Sequence, residues 1–301
     1  MPRLLLVVNG AAQTVTRYAR DVIAGALASE YAVDLDETKG PGHAAELAAD
    51  AARARVDVVV TLGGDGTINE VINGLAGTDV PLGVLPGGGA NVFARSIGLP
   101  RDPVEATGVL LERLMEPPRP IPLGRIDDRW FHSNCGIGID ATIVRRVETR
   151  QFAKRMTGDL FFMWSAVWAL LREFDRRKPH LAVSFDGEAV EDEVFTVVVQ
   201  NLDPFTYLGE RPIRLCPEAS LDLGLDVVAM RTMRSTAVAG TLLRAFSGRP
   251  PSRRAAVHGH DLRRIVVTAD RPVPAQIDGE YLGERDHAEI RSEPDALLLY
   301  G

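Results

Sequence analysis

The chain has 301 residues, 46% of them hydrophobic, which is enough for two folded domains and excludes a disordered chain. The formal net charge is −7 and no block of like charges occurs, so no nucleic-acid partner is expected. The longest strongly apolar stretch, 160–171, is too short to span a bilayer. The two cysteines form no CxxC pair, so we expect a cytoplasmic protein without a zinc site.

The first 115 residues alternate between short apolar strands and amphipathic helices. The predicted strands are 4–8, 31–38, 56–62 and 80–86, and the predicted helices are 15–27, 43–54, a helix from 67, 91–98 and 102–115. Asp102, Pro103 and Glu105 occupy the N-cap, N1 and N3 positions of the last helix. Repeated strand–helix units predict a parallel sheet with right-handed crossovers.

A proline cluster at 116–122 (EPPRPIP) breaks this rhythm and is the predicted domain boundary. The first domain is predicted to cover 1–122, with residues from about 291 to 301 as candidates to return to it, and the second to cover 123–290. The second domain is predicted to be mostly β, with hairpin turns at Asp186-Gly187 and Asp278-Gly279 and one helical region at about 142–175. The expected fold is an α/β domain followed by a mostly β domain.

The stretch VTLGGDGTINEV (60–71) ends a buried strand on two glycines and begins a helix. Thr67 and Glu70 have the spacing of a capping box, which predicts a helix start at Thr67. Backbone N–H groups at such a helix N-terminus favour an anion such as phosphate. No lysine is present, so the stretch is not a P-loop, and the carboxylate of Asp65 indicates a Mg²⁺ ion between protein and phosphate. A solvated turn residue is the alternative for Asp65.

These residues resemble the diacylglycerol kinase catalytic domain family of bacterial lipid kinases, which is related to sphingosine kinases. GGDGTINEV (63–71) carries the resemblance most specifically, and it extends over nearly the whole chain through weaker matches at LLLVVNGAA (4–12), TKGPGHA (38–44), LPGGGANVFARSIGLP (85–100), GIGIDA (136–141), CPEASLDLGLDVV (216–228) and IDGE (277–280). It implies a first domain like that of NAD kinase and diacylglycerol kinase and a β-sandwich-like second domain.

The resemblance implies an enzyme that uses ATP and Mg²⁺ to phosphorylate a lipid hydroxyl, most simply that of diacylglycerol, at a membrane surface. Asp278, in the late Asp-Gly-Glu motif, matches the family's general base, and Asp65 is assigned as the second catalytic residue. The residues assigned to nucleotide binding are Asn9, Thr38, Gly63, Gly64, Asp65, Gly66, Thr67, Ile68, Asn69, Glu70, Gly88, Gly89, Asn91 and Glu280. The metal ligands are assigned to Asp65 and Asp222.

The chain departs from the family pattern at three positions that affect the site. Gly89 replaces a threonine, Pro122 stands where many members have an aspartate, and Leu223 replaces the aspartate of a structural magnesium site, for which Asp222 is the substitute. A catalytically silent binding protein on the same fold is therefore an alternative. A NAD kinase, which shares the GGDGT loop, is another, and a homodimer is left open.

Three further patterns have competing interpretations. The glycines of GIGIDA imitate a dinucleotide fingerprint, but they lie outside the α/β half. His258, His260 and Asp261 suggest a metal site, with solvated loop histidines as the favoured alternative. Residues 159–174 combine tryptophans with basic flanks, which indicates a membrane-facing helix, while a helix packed on its own sheet is the more common outcome.

Overall fold

A computed structural model describes residues 1–12, 15–148 and 178–301, and the chain forms two compact units. The first unit contains Met1–Leu123 and Pro294–Gly301, and the second contains Gly124–Glu293. The proline cluster at 116–122 ends next to this division. The membrane-facing helix considered at 159–174 lies outside the described residues.

The first unit is built on a parallel sheet. Its strands are β1 (Arg3–Val8), β2 (Ala32–Glu37), β3 (Val58–Gly63) and β4 (Leu82–Pro86), joined by the C-terminal end of β16 (Glu280–Leu299), in the order β16-β4-β3-β1-β2. The pairs β1–β2, β1–β3, β3–β4 and β4–β16 are all parallel, which confirms the predicted sheet. Every residue of β3 is buried, as expected for a strand covered on both faces.

The described residues of the first unit also form the helices α1 (Arg17–Leu27), α2 (His43–Arg53), α3 (Asp65–Leu75), α4 (Val92–Ser96) and α5 (Pro103–Arg113). The predicted N-cap of α5 is confirmed, because the Asp102 side chain accepts hydrogen bonds from Val104 N–H and Glu105 N–H. The prediction for α3 is wrong by two residues. This helix begins at Asp65 with Gly64 as N-cap, and no side chain caps it.

Helices α2 and α3 pack closely because α3 carries a glycine at the contact. A Cβ on Gly74 would lie 2.5 Å from the carbonyl oxygen of Ala45 and 2.7 Å from the Cβ of Ala48. The small side chains of α2 match this approach, since Ala44, Ala48 and Ala51 are its buried residues. The glycine therefore sets the distance between the two helices.

The second unit is mostly antiparallel sheet. Besides β5 (Arg119–Ile126), which crosses the unit boundary, its strands are β6 (Arg129–Phe131), β7 (Asn134–Ile137), β8 (Leu181–Phe185), β9 (Glu188–Val194), β10 (Thr196–Gln200), β11 (Thr206–Leu208), β12 (Arg211–Ile213), β13 (Leu225–Met230), β14 (Ala256–Leu262), β15 (Arg264–Ile277) and most of β16. The main order is β14-β13-β10-β7-β15-β16, while β8 pairs with β15 and β9 pairs with β8. Both predicted hairpin turns are confirmed, since Asp186-Gly187 joins β8 to β9 and Asp278-Gly279 joins β15 to β16.

Two helices are described in the second unit: α6 (Ile139–Glu148) and α7 (Ser235–Phe246). The helical region predicted at about 142–175 begins at Ile139, and residues 149–177 lie outside the described part of the chain. Helix α7 was not predicted. Its sequence nevertheless has apolar residues at helical spacing, at Ala239, Leu242, Leu243 and Phe246. Among the described residues, no helix has the length and hydropathy that crossing a bilayer requires.

Replacing Gly74 with alanine is expected to destabilise the first unit by roughly 1–3 kcal/mol, because the added methyl group has no space between α2 and α3. Gly25→Ala is the matched control, since a Cβ on that α1 glycine meets nothing within 4 Å. The control is expected to stabilise the protein by roughly 0.5–1 kcal/mol. Denaturant unfolding measures both, and an equal effect of the two substitutions would contradict the assigned contact.

Candidate active site

The predicted nucleotide residues of the first unit gather at the carboxyl edge of its sheet. Asn9, Thr38 and Gly63 stand at the ends of β1, β2 and β3. Neighbouring strand ends are tied together there, since Asn9 N–H donates to Leu62 O at 3.0 Å and Thr38 N–H donates to Val8 O at 2.8 Å. In open α/β sheets ligands bind outside this edge.

Two glycine pairs at this edge touch through their backbones. A Cβ on Gly88 would lie 2.7 Å from the Cα of Gly64, and a Cβ on Gly87 would lie 2.9 Å from the Cα of Gly63. Gly87 N–H also donates to Gly63 O at 2.7 Å. Gly87 and Gly88 therefore leave no room for a side chain where the loops meet, whereas a Cβ on Gly63 would meet the Thr67 side chain at 2.7 Å.

Asp65 connects the two loops through its side chain. Its Oδ1 accepts a hydrogen bond from Phe93 N–H at 3.0 Å, in the first turn of α4. The N–H groups of a helix's first turn lack intrahelical acceptors, so a carboxylate there is favourable. The acid in the glycine loop thus has a structural partner that the sequence did not reveal.

Asn91 closes the second loop. It adopts a left-handed conformation (φ 48°), its Oδ1 accepts from Gly88 N–H at 2.8 Å, and its Nδ2 donates to Gly88 O at 2.9 Å. Its side chain is almost completely buried, so the structure places it inside the loop. Gly66 and Gly89 are exposed at the same edge.

The capping box predicted from Thr67 and Glu70 is wrong. Thr67 Oγ1 accepts from Asn9 Nδ2 at 2.9 Å, and Glu70 Oε2 accepts from Ala44 N–H at 3.1 Å. Glu70 therefore caps the N-terminus of α2 from outside that helix, because the N-cap residue of α2, Gly42, has no side chain. Local spacing favoured a cap within α3, but α3 begins two residues earlier, which places Thr67 inside the helix.

Ile68 and Asn69, also predicted to bind nucleotide, point away from solvent. Ile68 is completely buried, and Asn69 is nearly so. Asn69 Oδ1 accepts from Asn73 Nδ2 at 3.1 Å, one turn further along α3. Their side chains belong to the packing of α3.

In the second unit, the Asp278 carboxylate is an acceptor for three backbone donors. Its Oδ2 accepts from His132 N–H, and its Oδ1 accepts from Ser133 N–H and Asn134 N–H, all at 2.9 Å. The side chain is only 2% exposed. These bonds also account for the break between β6 and β7, because His132 and Ser133 turn their N–H groups toward Asp278.

The other Asp-Gly turn has a similar backbone and a weaker side-chain role. Asp186 (φ 49°) and Asp278 (φ 45°) both adopt the left-handed conformation that such turns require. Asp186 accepts hydrogen bonds from Arg263 N–H and Arg264 N–H, both through Oδ1, and the residue is exposed. Burial and the use of both carboxylate oxygens distinguish Asp278.

The remaining site predictions of the second unit lie at its surface. Glu280 forms a two-point ion pair with Arg129, at 2.6 and 3.2 Å. Asp222 is exposed, and its Oδ2 lies 3.3 Å from Ser220 Oγ. Within residues 1–12, 15–148 and 178–301, no three His, Cys, Asp or Glu side chains are grouped to hold a metal ion.

A buried polar network lies beside Asp278. Gln276 Nε2 donates to Asn134 Oδ1 at 2.8 Å and to Asp140 Oδ2 at 2.5 Å, while Gln276 Oε1 accepts from Gly279 N–H at 2.9 Å. Burial raises the pKa of Asp140 from 3.8 to about 6, and the hydrogen bond from Gln276 opposes this shift. The network was not predicted, although polar residues inside otherwise apolar strands are a signal for one.

The GIGIDA motif belongs to this network and not to a dinucleotide site. A Cβ on Gly136 would lie 2.1 Å from Asp140 Oδ2, and Gly138 adopts a φ of 104° between β7 and α6. Strand β7 pairs antiparallel with β10 and β15, whereas a dinucleotide fingerprint follows a strand of a parallel sheet.

The histidines considered as metal ligands or solvated loop residues lie on β14. His260 Nδ1 is 2.8 Å from Asp226 Oδ1, and Asp261 Oδ1 accepts from Gly224 N–H at 2.7 Å. Burial lowers the pKa of His258. The loop interpretation is wrong, because these residues join β14 to its neighbour β13.

Both halves of the chain match known families. The diacylglycerol kinase catalytic domain matches residues 3–125, and the YegS C-terminal NAD kinase beta sandwich-like domain matches residues 133–301. The chain belongs to the diacylglycerol kinase family of lipid kinases. Membership confirms the resemblance, the fold class and the enzyme class predicted from the sequence.

Individual relatives of this lipid kinase are similar over most of its length. A diacylglycerol kinase of Bacillus subtilis is 26% identical over 84% of this chain and 80% of its own. The "Probable lipid kinase YegS-like" protein of Pseudomonas putida is 26% identical over 99% and 95%. A solved structure of a diacylglycerol kinase from Bacillus anthracis has a TM-score of 0.72 at 22% identity and covers 99% of this chain and 96% of its own, which shows the shared fold.

Asp278→Asn is expected to destabilise this lipid kinase by roughly 1–3 kcal/mol, because the asparagine Nδ2 cannot accept a bond from a buried N–H group. Asp186→Asn is the matched control. It retains an Oδ1 that can accept from both Arg263 N–H and Arg264 N–H, and little change is expected. Thermal unfolding of both variants tests the difference, and equal midpoints would show that the three bonds to Asp278 contribute nothing.

Asp140→Asn is expected to change the pH dependence of stability. Because burial raises the Asp140 pKa from 3.8 to about 6, the folded protein retains a proton in that window that the unfolded chain has lost. The Asp140 contribution to stability therefore falls as the pH rises from about 4 to about 6. Relative to the parent, the variant should gain up to about 3 kcal/mol across that window. A stability difference that is constant with pH would contradict the raised pKa.

Proposed function

We propose that this lipid kinase transfers the γ-phosphate of ATP to the hydroxyl group of diacylglycerol or a related lipid alcohol. The family establishes the lipid kinase, and its kinase chemistry implies a nucleotide. ATP and diacylglycerol are both our inferences, and the names of the Bacillus subtilis and Mycobacterium tuberculosis relatives support diacylglycerol as the acceptor.

The observation that carries the proposal is the pair of touching glycine loops at the carboxyl edge of the first unit's sheet. Gly64 precedes α3 as an N-cap without a side chain, and Gly66 in its first turn is exposed. Backbone N–H groups at a helix N-terminus bind phosphate well, and the α3 dipole adds to the attraction. The absence of side chains allows a phosphate to approach this backbone closely.

A Mg²⁺ ion fits Asp65 together with nucleotide phosphates. Magnesium is commonly held by one or two carboxylates, with phosphate oxygens and waters as the other ligands. A carboxylate has acceptor capacity for more than one partner, so the bond from Phe93 N–H is compatible with a metal ligand role. When bound, the ion neutralises the charge that develops on the transferred phosphoryl group. Asp222 belongs to the other unit, and its assignment as a metal ligand remains a prediction.

Asp278 is proposed to influence catalysis through the geometry of residues 132–134, and its role as the general base remains a prediction. A base must reach the hydroxyl proton. The Asp278 side chain is 2% exposed and accepts three N–H bonds, so the residues that cover it would have to move before a lipid hydroxyl could reach its carboxylate. A positioning role requires no such rearrangement.

The lipid acceptor implies contact with a membrane, and we propose a cytoplasmic protein that visits the inner membrane face. No nucleic-acid partner is proposed, in keeping with the acidic net charge of −7. A homodimer also remains a prediction.

Incubation with labelled ATP, Mg²⁺ and a panel of lipid alcohols and NAD tests the proposed function. We expect label in diacylglycerol or a related lipid. Asp65→Asn is expected to retain the Phe93 contact and to lose no more than about 1 kcal/mol of stability. It is expected to lower turnover roughly a hundredfold, because the charge facing the metal is lost. Turnover of NAD alone would contradict the acceptor, and no transfer at all would favour a silent homologue.

The same assay separates the two roles of Asp278 when Asp278→Asn is measured at a temperature at which it is folded. A general base predicts a large loss of turnover with ATP binding retained. If Asp278 is a positioning residue, turnover should fall only in proportion to weaker ATP binding or to the fraction of protein that is unfolded. Asp186→Asn serves as the control for the substitution itself.

A further inference from the structure

Helix α7 is apolar on two opposite faces, and only one of them is covered. Its inner side packs through Ala237 and Val238 against a cluster that includes Met230 and Met233. The opposite side, which we name the outer face, consists of Ala239, Leu242, Leu243 and Phe246. These positions follow the i, i+3, i+4, i+7 spacing of a single helical stripe.

The outer face is exposed to solvent. Leu243 is 73% exposed, Leu242 is 52% exposed and Phe246 is 44% exposed. Single exposed hydrophobic residues are normal on a protein surface, whereas a contiguous group indicates an interaction site. Three large exposed side chains within five residues of one helix form such a group.

The chain segment that contains α7 carries charged side chains of a single sign. Residues 227–260 contain no aspartate, glutamate or lysine, and their six arginines are Arg231, Arg234, Arg244, Arg249, Arg253 and Arg254. Hydrogen bonds show that arginines of this segment lie at both ends of the helix. At the N-terminal end, Arg231 Nη1 donates to Arg253 O at 2.9 Å, and at the C-terminal end, Arg249 N–H donates to Arg244 O at 2.9 Å.

Five of these six guanidinium groups have no ion pair with an acidic side chain in the described part of the chain, and four of the five are exposed. Arg231 is paired with Glu191 at 2.5 Å, and Arg244 donates to Pro250 O at 2.7 Å. The exposed arginines without an ion pair among the described residues are Arg234, Arg249, Arg253 and Arg254. An apolar stripe is thus flanked by uncompensated positive charge.

We propose that the outer face of α7 and these four arginines dock the protein on an anionic lipid bilayer. An amphipathic helix lies in the membrane interface with its apolar face among the acyl chains, and basic residues beside it bind anionic headgroups. Guanidinium groups suit this task because they bind phosphate in a two-point geometry. The proposal rests on the proposed lipid acceptor, which stays in the membrane.

The charges favour a lipid surface over a second copy of the chain. Self-association through the outer face would bring the same arginines together from both copies, and like charges repel. An anionic bilayer offers compensation to all of them at once. It also covers Leu243 and Phe246 without requiring a complementary protein shape.

Vesicle flotation of the full chain tests the docking surface without nucleotide. Vesicles of phosphatidylcholine alone are compared with vesicles of equal parts phosphatidylcholine and phosphatidylglycerol. The parent is expected to bind the anionic vesicles and to lose binding at high salt. The double variant Arg234→Gln/Arg249→Gln should bind roughly thirtyfold more weakly, and Leu243→Gln/Phe246→Gln roughly tenfold or more.

Matched substitutions elsewhere control for total charge and total hydrophobicity. Arg53→Gln/Arg55→Gln removes two exposed arginines of the first unit, and Met115→Gln replaces a methionine that is 86% exposed. Both controls should bind as the parent does. Equal binding by all variants, or no binding of the parent to anionic vesicles, would overturn the proposal, as would a dimer that Leu243→Gln/Phe246→Gln dissociates.

A second readout separates this proposal from the proposed function. A short-chain diacylglycerol that dissolves as a monomer needs no docking, so the surface variants should phosphorylate it at the parent rate. Inactivity of the parent on this acceptor, with vesicle binding intact, would reject the proposed acceptor and leave the docking surface standing. Loss of activity in the surface variants on the soluble acceptor would count against a purely docking role.

Discussion

The first unit depends on a contact between two backbone segments that tolerates no side chain. Gly63 and Gly64 lie against Gly87 and Gly88 so closely that a single methyl group would separate them. Asp65 fixes the first segment to α4, and Asn91 fixes the second segment to itself. The loops are therefore ordered by the fold before a ligand binds. Ligand binding then loses less free energy to the conformational entropy of ordering them.

The second unit contains two buried carboxylates in a mostly apolar sheet. Asp278 is stabilised by three backbone N–H donors, and Asp140 lies over Gly136 with one bond from Gln276. Asp278, which has three donors, shapes the turn at 132–134. The pKa of Asp140 is raised to about 6, because burial outweighs the single hydrogen bond from Gln276. Each environment follows from how many donors reach the carboxylate.

Much of the fold could be predicted from residue patterns because the relevant interactions are local. The buried strand before Gly63, the N-cap at Asp102 and the turns at Asp186 and Asp278 each depend on neighbours along the chain. Helix α7 was not predicted, although Ala239, Leu242, Leu243 and Phe246 have helical spacing. Which of its apolar residues are buried is decided by tertiary packing, since Ala237 and Val238 contact the core and Leu242, Leu243 and Phe246 are exposed.

The sequence by itself determined the order of elements, the glycine loop at a strand end and the family that these motifs resemble. Only the tertiary structure decided which partner each polar side chain has. Glu70 has the local spacing of a cap for its own helix but binds Ala44 N–H of α2, and Asp65 binds Phe93 N–H 28 residues away. Asp186 and Asp278 share one motif and differ in burial. Local spacing fixes the backbone near a residue, whereas burial and hydrogen-bond partners depend on segments that only folding brings together.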